Sequence, residues 1–168
     1  MASHQKERKP LELISLAAAI TLTQWSERTF WRKFADGSMA RKTGSGKAMI
    51  PFELIEPHLC MSLGPEDLSV LESADGGSAA AQNDLAVIFL SNGKPKGAIY
   101  WLELAIKQDF ASAMYLLGRC YSDGNGLPKN ENLSIMWIAK AASYGHTIAQ
   151  AQMQAVRDQM TGANSGSP

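Results

Sequence analysis

A copied pattern constrains this chain more than any other feature. Ala81, Leu85, Ala86 and Phe89 return 32 residues later as Ala113, Leu117, Gly118 and Tyr121. Trp101, Ala105 and Asp109 return 36 residues later as Trp137, Ala141 and Gly145. A repeat at this period means one supersecondary unit used more than once, which cannot bury its apolar side alone and must stack on its neighbour. The two offsets differ by four residues, so the first copy has lost four residues from its loop around Asn92 to Pro95, while the helices themselves are copied. Ala113 to Ala149 restores the 36-residue step, and Met153 follows Ala149 as Leu117 follows Ala113. A third copy therefore begins and then stops, with its helix expected to cap the stack.

Within each copy a small residue sits four positions from a large one, as antiparallel helices require where they approach closely. Trp101, Trp137, Phe89 and Tyr121 fall at repeat-equivalent positions and are predicted to be core, not a ligand cage. Asp123, Gly124, Asn125, Gly126 and Pro128 break the chain before the second helix of a copy, and Gly145 ends that helix. Glu66 to Asp75 reads as an earlier second helix, ending at Gly76 and Gly77. Contacts to a partner are expected at non-equivalent positions of the first helices, predicted exposed: Gln82, Asn83, Met114 and Arg119.

Ala113, Leu117, Gly118, Tyr121, Gly124, Gly126, Leu127, Pro128, Asn130, Trp137, Ala141, Ala142, Gly145 and Ala149 together resemble a Sel-like repeat of the tetratricopeptide superfamily. The resemblance covers residues 78 to 156, and the first copy departs from it by lacking the Gly-x-Gly turn. It implies a short right-handed α-solenoid of antiparallel helix pairs, an α-α superhelix whose concave face binds a protein partner.

Residues 11 to 60 have no 36-residue echo and differ in charge. Residues 1 to 50 carry nine Lys or Arg against four Asp or Glu, whereas the rest carries seven against twelve. A basic head preceding an acidic body suggests a polyanion-facing first half, or simply a solvated basic surface. Leu13, Leu16, Ala17 and Ile20 have the spacing of one apolar helix face. Ser26 offers an N-cap to a second helix bearing Phe30 and Phe34 and stopping at Asp36 and Gly37, with Thr23 to Trp25 as the turn between them. Met39 to Arg41 and Ala48 to Ile50 can pair as a wing across Thr43 to Gly46, and Pro51 starts another helix.

The run Ser26, Glu27, Arg28, Thr29, Phe30, Trp31, Arg32, with Gly37 and Ile50–Pro51, resembles the winged helix-turn-helix of the MerR and excisionase type, departing from it at Gln24, where Gly commonly makes the turn. The resemblance implies double-stranded DNA binding. The second helix, opened by Ser26, would then enter the major groove with Arg28, Thr29 and Arg32 towards bases, while Lys33, Arg41, Lys42 and Lys47 hold phosphates. The alternatives are a capped, solvated helix with no DNA role, or a dimerisation or docking module. Helix-turn-helix proteins commonly act as dimers on two half-sites, which adds a homodimer to the expected partners.

Other readings fall away on residue chemistry. Lys6, Arg8 and Lys9 before Leu11 to Leu22 imitate an export signal, but Glu12 interrupts the apolar run, so a cytoplasmic location is expected, with no membrane span. Cys60 and Cys120 form no CxxC pair, and His4, His58 and His146 lack a ligand spacing, so no metal is expected. Gly44, Ser45, Gly46 and Lys47 are not a phosphate loop, because Arg41 and Ala48 stand where it needs Gly and Ser or Thr. Asn132, Leu133 and Ser134 spell a glycosylation acceptor inside a predicted helix. With no carboxylate pair, activated nucleophile or cofactor fingerprint, the expectation is a non-enzymatic protein without cofactor.

The expected fold is mostly α. It comprises a disordered basic arm (1–10), a small winged helix-turn-helix domain (11–60), a connecting helix (61–77), helical repeats (78–160) and a disordered tail (161–168). The expected function is a transcriptional regulator that couples a DNA-binding head to a protein-binding scaffold. The alternative is a pure protein adaptor or assembly factor.

Overall fold

The computed structural model describes residues 11–34, 41–42 and 48–164, which divide into two compact units between Leu68 and Ser69. In the first unit, strand β1 (Leu13–Ser15) leads into helix α1 (Leu16–Thr23) and helix α2 (Glu27–Lys33). There follow strands β2 (Arg41–Lys42) and β3 (Ala48–Pro51), the short helix α3 (Phe52–Ile55) and a 3-10 turn at Glu56–His58. The sheet is antiparallel in the order β1-β3-β2, with Ile14 opposite Ile50 and Arg41 opposite Met49. Helix α4 (Pro65–Asp75) straddles the division between units.

The first helix starts later than its apolar spacing predicts. Ser15 is extended and its hydroxyl accepts a hydrogen bond from the Ala18 N–H at 3.1 Å, so the helix begins at Leu16. Leu13–Ser15 is thereby left to pair with β3, and the two-fold alternation of a strand sends Ile14 into the core. The buried face of α1 is Ala18, Ala19, Leu22 and Thr23, not the predicted Leu16, Ala17 and Ile20. Ser26 caps α2 as expected. That helix ends at Lys33 with Phe34 as C-cap, while Asp36 and Gly37 lie outside the described residues. Gln24 occupies the left-handed region at φ 55°, taking the turn position that glycine commonly holds. Ile14, Ala18, Ala19, Leu22, Phe30, Ile50 and Ile55 form a core closed to solvent. Arg41–Lys42 pairs with β3 where a wing is predicted, whereas Met39, Ala40 and Thr43 to Lys47 are not among the described residues.

The second unit is a row of antiparallel helices: α5 (Ala79–Ser91) with α6 (Pro95–Ile106), α7 (Ala111–Asp123) with α8 (Glu131–Ser143), then α9 (Thr147–Asn164). The bounds of α5 and α7 are offset by 32 residues and the starts of α6 and α8 by 36, so the four-residue difference lies in the loop; α8 runs one residue longer than α6. Each second helix closes in the same way. After α6, the Phe110 N–H returns to the Ala105 carbonyl and Asp109 N–H to Ile106; after α8, His146 returns to Ala141 and Gly145 to Ala142. This paired closure needs a left-handed residue, supplied by Gly145 at φ 90° and by Asp109 at φ 57°. Gly118 allows a close approach of α8: a Cβ there would lie 2.8 Å from Ile138 Cγ1 and 3.1 Å from the Ser134 carbonyl oxygen. The glycosylation-like Asn132 to Ser134 lies in α8. Helix α9 runs to Asn164, four residues into the segment expected to be a disordered tail, because 161–164 keep the helical ladder, with Thr161 Oγ1 donating to the Arg157 carbonyl.

Candidate interaction surfaces

In the first unit the face of α2 is built on an aromatic cluster. Phe30 is buried, with the Phe34 ring at 5.0 Å and the Trp25 ring at 6.3 Å, and Trp25 also meets His58 at 5.0 Å. Burial of Phe30 turns Arg28 and Arg32, four residues apart, outward, and both are exposed. The polar groups beside them are committed to the helix. Ser26 Oγ accepts from the Thr29 N–H at 3.1 Å and donates to Thr29 Oγ1 at 2.9 Å, while Lys33 Nζ sits 4.7 Å above the Trp25 ring. Trp31 Nε1 donates to Glu27 at 3.4 Å. Arg41 and Lys42 form β2, and Lys47 lies outside the described residues.

In the second unit three of the four positions predicted to be exposed are buried: Gln82 is 4% exposed, Asn83 9% and Met114 0%. The reason is what precedes and follows each hairpin. Gln82 Nε2 donates to the Ala74 carbonyl at the end of α4, and Gln82 Oε1 accepts from Gln108 at the end of α6, so this amide joins three helices. Asn83 donates to Asp84 but its Oδ1 is buried without a hydrogen-bond partner. Met114 lies in a cluster with Ala141 and Ala149, packed against Ile106, Trp137 and Ile138. Arg119 alone of the four is exposed; it pairs with Asp123 at 3.7 Å, and its hydrogen bond with Tyr115 raises its pKa. The aromatic residues predicted to be core divide by repeat: Trp101 and Phe89 are buried, whereas Trp137 and Tyr121 are half-buried. Among the described residues, nothing beyond α9 packs on the second copy as the second copy packs on the first.

The sequence reading missed the surface where the third copy stops. Ile135, Met136, Tyr144, Ile148, Val156 and Met160 are large apolar or aromatic side chains standing 41% to 69% exposed on α8, its C-cap and α9. The available signal was the failure of repeat equivalence after Met153: Ile135 and Val156 correspond to the buried Ile99 and Cys120, and among the described residues no helix follows α9 to cover them. His146 immediately precedes α9, its Nδ1 accepting the Ala149 N–H at 3.2 Å and its ring stacked 4.4 Å from Tyr115. Desolvation lowers its pKa. The Tyr144 phenol, hydrogen-bonded to Asp109, has its pKa raised. Cys120 is buried, and burial raises its thiol pKa.

Among the described residues no three His, Cys, Asp or Glu side chains converge, and no helix is long and apolar enough to cross a membrane. Residues 79–110 and 111–146 are the α5–α6 and α7–α8 hairpins with their closing turns. Both match the Sel1 repeat. The two hairpins are thus similar to Sel1 repeats and stack as a short helical solenoid, a likeness that suggests protein–protein interaction. A solved Sel1 repeat protein from Oxalobacter formigenes is 28% identical with a TM-score of 0.49; the alignment covers 52% of this chain and only 26% of that one. No curated protein matches.

Proposed function

We propose that the chain is a non-enzymatic regulator whose Sel1 repeats bind a protein partner and whose first unit contacts duplex DNA. The repeats carry the first half of this reading. Two consecutive hairpins similar to Sel1 repeats stack into an extended surface, which is the equipment of a scaffold. Arg119, exposed on α7, is the remaining candidate contact among the residues first singled out on the repeat face.

A single observation favours the DNA half: Arg28 and Arg32 are exposed together on the side of α2 opposite Phe30, in a helix preceded by a left-handed turn and followed by the β2–β3 pair. A helix presented in this way suits the major groove, with guanidinium groups able to reach base edges or phosphates. Lys33 over Trp25 would reinforce the helix surface and contribute charge, and Thr29, tied to Ser26, would contribute a methyl group more readily than a hydroxyl.

The test is binding of the full chain to random duplex DNA across a salt series. Affinity should fall steeply as salt rises, and Arg28→Ala with Arg32→Ala should flatten the slope by about two counterions. A flat response in the wild type would leave the adaptor reading, in which the head docks on protein and the basic surface is incidental.

A further inference from the structure

Ala139 and Ala142 of α8 with Gln150, Met153, Gln154 and Arg157 of α9 line an open groove of about 320 Å³. One repeat earlier, 36 residues back, the last five of these positions are Ile106, Met114, Leu117, Gly118 and Tyr121. There the groove is filled by α8. Trp137 and Ile138 pack, together with Ile106, against the cluster containing Met114, and Gly118 makes room for Ile138. The internal repeat therefore states what fits the later groove: an amphipathic helix running antiparallel to α9.

Helix α9 itself carries a suitable surface. It has 18 residues where α5 and α7 have 13 each. Along it Ala149, Met153, Val156 and Met160 recur at intervals of four, three and four, the seam spacing of packed helices. Ala149 is fully buried and Met153 half-buried, but Val156 and Met160, on the same stripe, are 41% and 69% exposed. One helix thus presents an apolar stripe that no other described residue covers, beside a groove shaped for an antiparallel helix. A two-fold axis brings the stripe of each copy to the groove of the other. Arg157 and Asp158 are the only charged side chains of α9, so two such helices meet without net repulsion.

We propose that two copies of this chain associate through antiparallel packing of their α9 helices, with Val156 and Met160 of each copy covering the α8–α9 groove of the other. This interface is independent of the DNA reading and lies on α8 and α9, leaving Arg119 on α7 available to a partner.

Sedimentation velocity of the full chain at up to roughly 100 µM tests it, in the affinity range of a modest helix–helix interface. The wild type should sediment as a dimer. Val156→Glu and Met160→Glu should each weaken dimerisation by more than about tenfold, because taking a carboxylate out of water and off an apolar stripe costs more than pairing with Arg157 at the groove returns. Ala155→Glu, on the side of α9 turned away from both the stripe and the groove, should not. All three positions are exposed within one chain, and far-UV circular dichroism would verify that each variant keeps its helices. A monomer throughout overturns the proposal. So does a dimer indifferent to both carboxylates, or one weakened equally by Ala155→Glu.

Discussion

The two complete repeats are built from one pattern and end up in different surroundings. Phe89 is fully buried where its counterpart Tyr121 is half-buried, Trp101 is 1% exposed where Trp137 is half-buried, and Ile99 is 8% exposed where Ile135 is 54%. Helix starts, closing turns and the small residues of the seam nevertheless correspond, with Ala105 and Ala141 both at 0%. The pattern determines that a hairpin forms and which side is apolar. How much of that side is removed from water depends on neighbours: the first copy lies between α4 and the second copy, the second has only α9 beyond it among the described residues. In a stack whose stability is a sum of unit and interface contributions, equivalent residues can therefore differ widely in energetic weight.

The sharpest way to break this comparison is to truncate the paired tryptophans. Trp101→Ala should cost about 3–5 kcal/mol, the range for a buried aromatic whose site cannot collapse. Trp137→Ala should cost at least about 1 kcal/mol less, since its ring is already partly wet and lies under Lys140 at 5.2 Å. Urea unfolding followed by circular dichroism measures both, and equal losses would show that position in the pattern, not the neighbour, sets the energy.

A smaller effect of opposite sign is expected at the closing turns. Gly145 at φ 90° has open space around it, so Gly145→Ala should be destabilising by about 1–2 kcal/mol through backbone strain alone. Its counterpart Asp109 already bears a side chain at φ 57°, and Asp109→Gly should be neutral or stabilising by up to about 1 kcal/mol, set against the loss of the exposed Tyr144 hydrogen bond. Thermal melts of the two variants would decide it; a loss at both sites would mean that the Tyr144–Asp109 contact outweighs the strain.

The smallest expected effect separates the two junctions by pH. His146 caps α9 with a lone pair that only the neutral ring has, and the corresponding Phe110 before α7 makes no side-chain cap. Its folded pKa lies below the ordinary 6.5, so the unfolded chain takes up the proton first. The stabilisation is complete above about pH 6.5 and is lost as pH falls through the depressed folded value. His146→Asn keeps a cap acceptor that does not titrate, and its melting temperature should lack the wild type's decline across that window. Parallel curves would exclude His146 as the source.

Legibility differed between the units for a physical reason. In the repeats each copy reports on the other, so helix boundaries, the four-residue loop difference and the α9 start could be read from spacing. In the first unit no second copy exists, and the apolar run 13–20 fits a helix face as well as a strand followed by a helix; the capping hydrogen bond of Ser15 and the pairing of Ile14 with Ile50 chose the latter. Among candidate contacts, Gln82, Asn83 and Met114 were misplaced because periodicity assigns a residue to a helix face without saying whether another helix covers that face.

The residue pattern alone determined a duplicated α-hairpin, its breaks and its small-residue seam, because these follow from backbone propensity and contacts a few residues apart. Tertiary structure decided burial: that Gln82 joins three helices, that Trp137 is only half-covered, and that Val156 and Met160 face water. Those outcomes depend on which helices arrive from elsewhere in the chain, and local spacing carries no record of them.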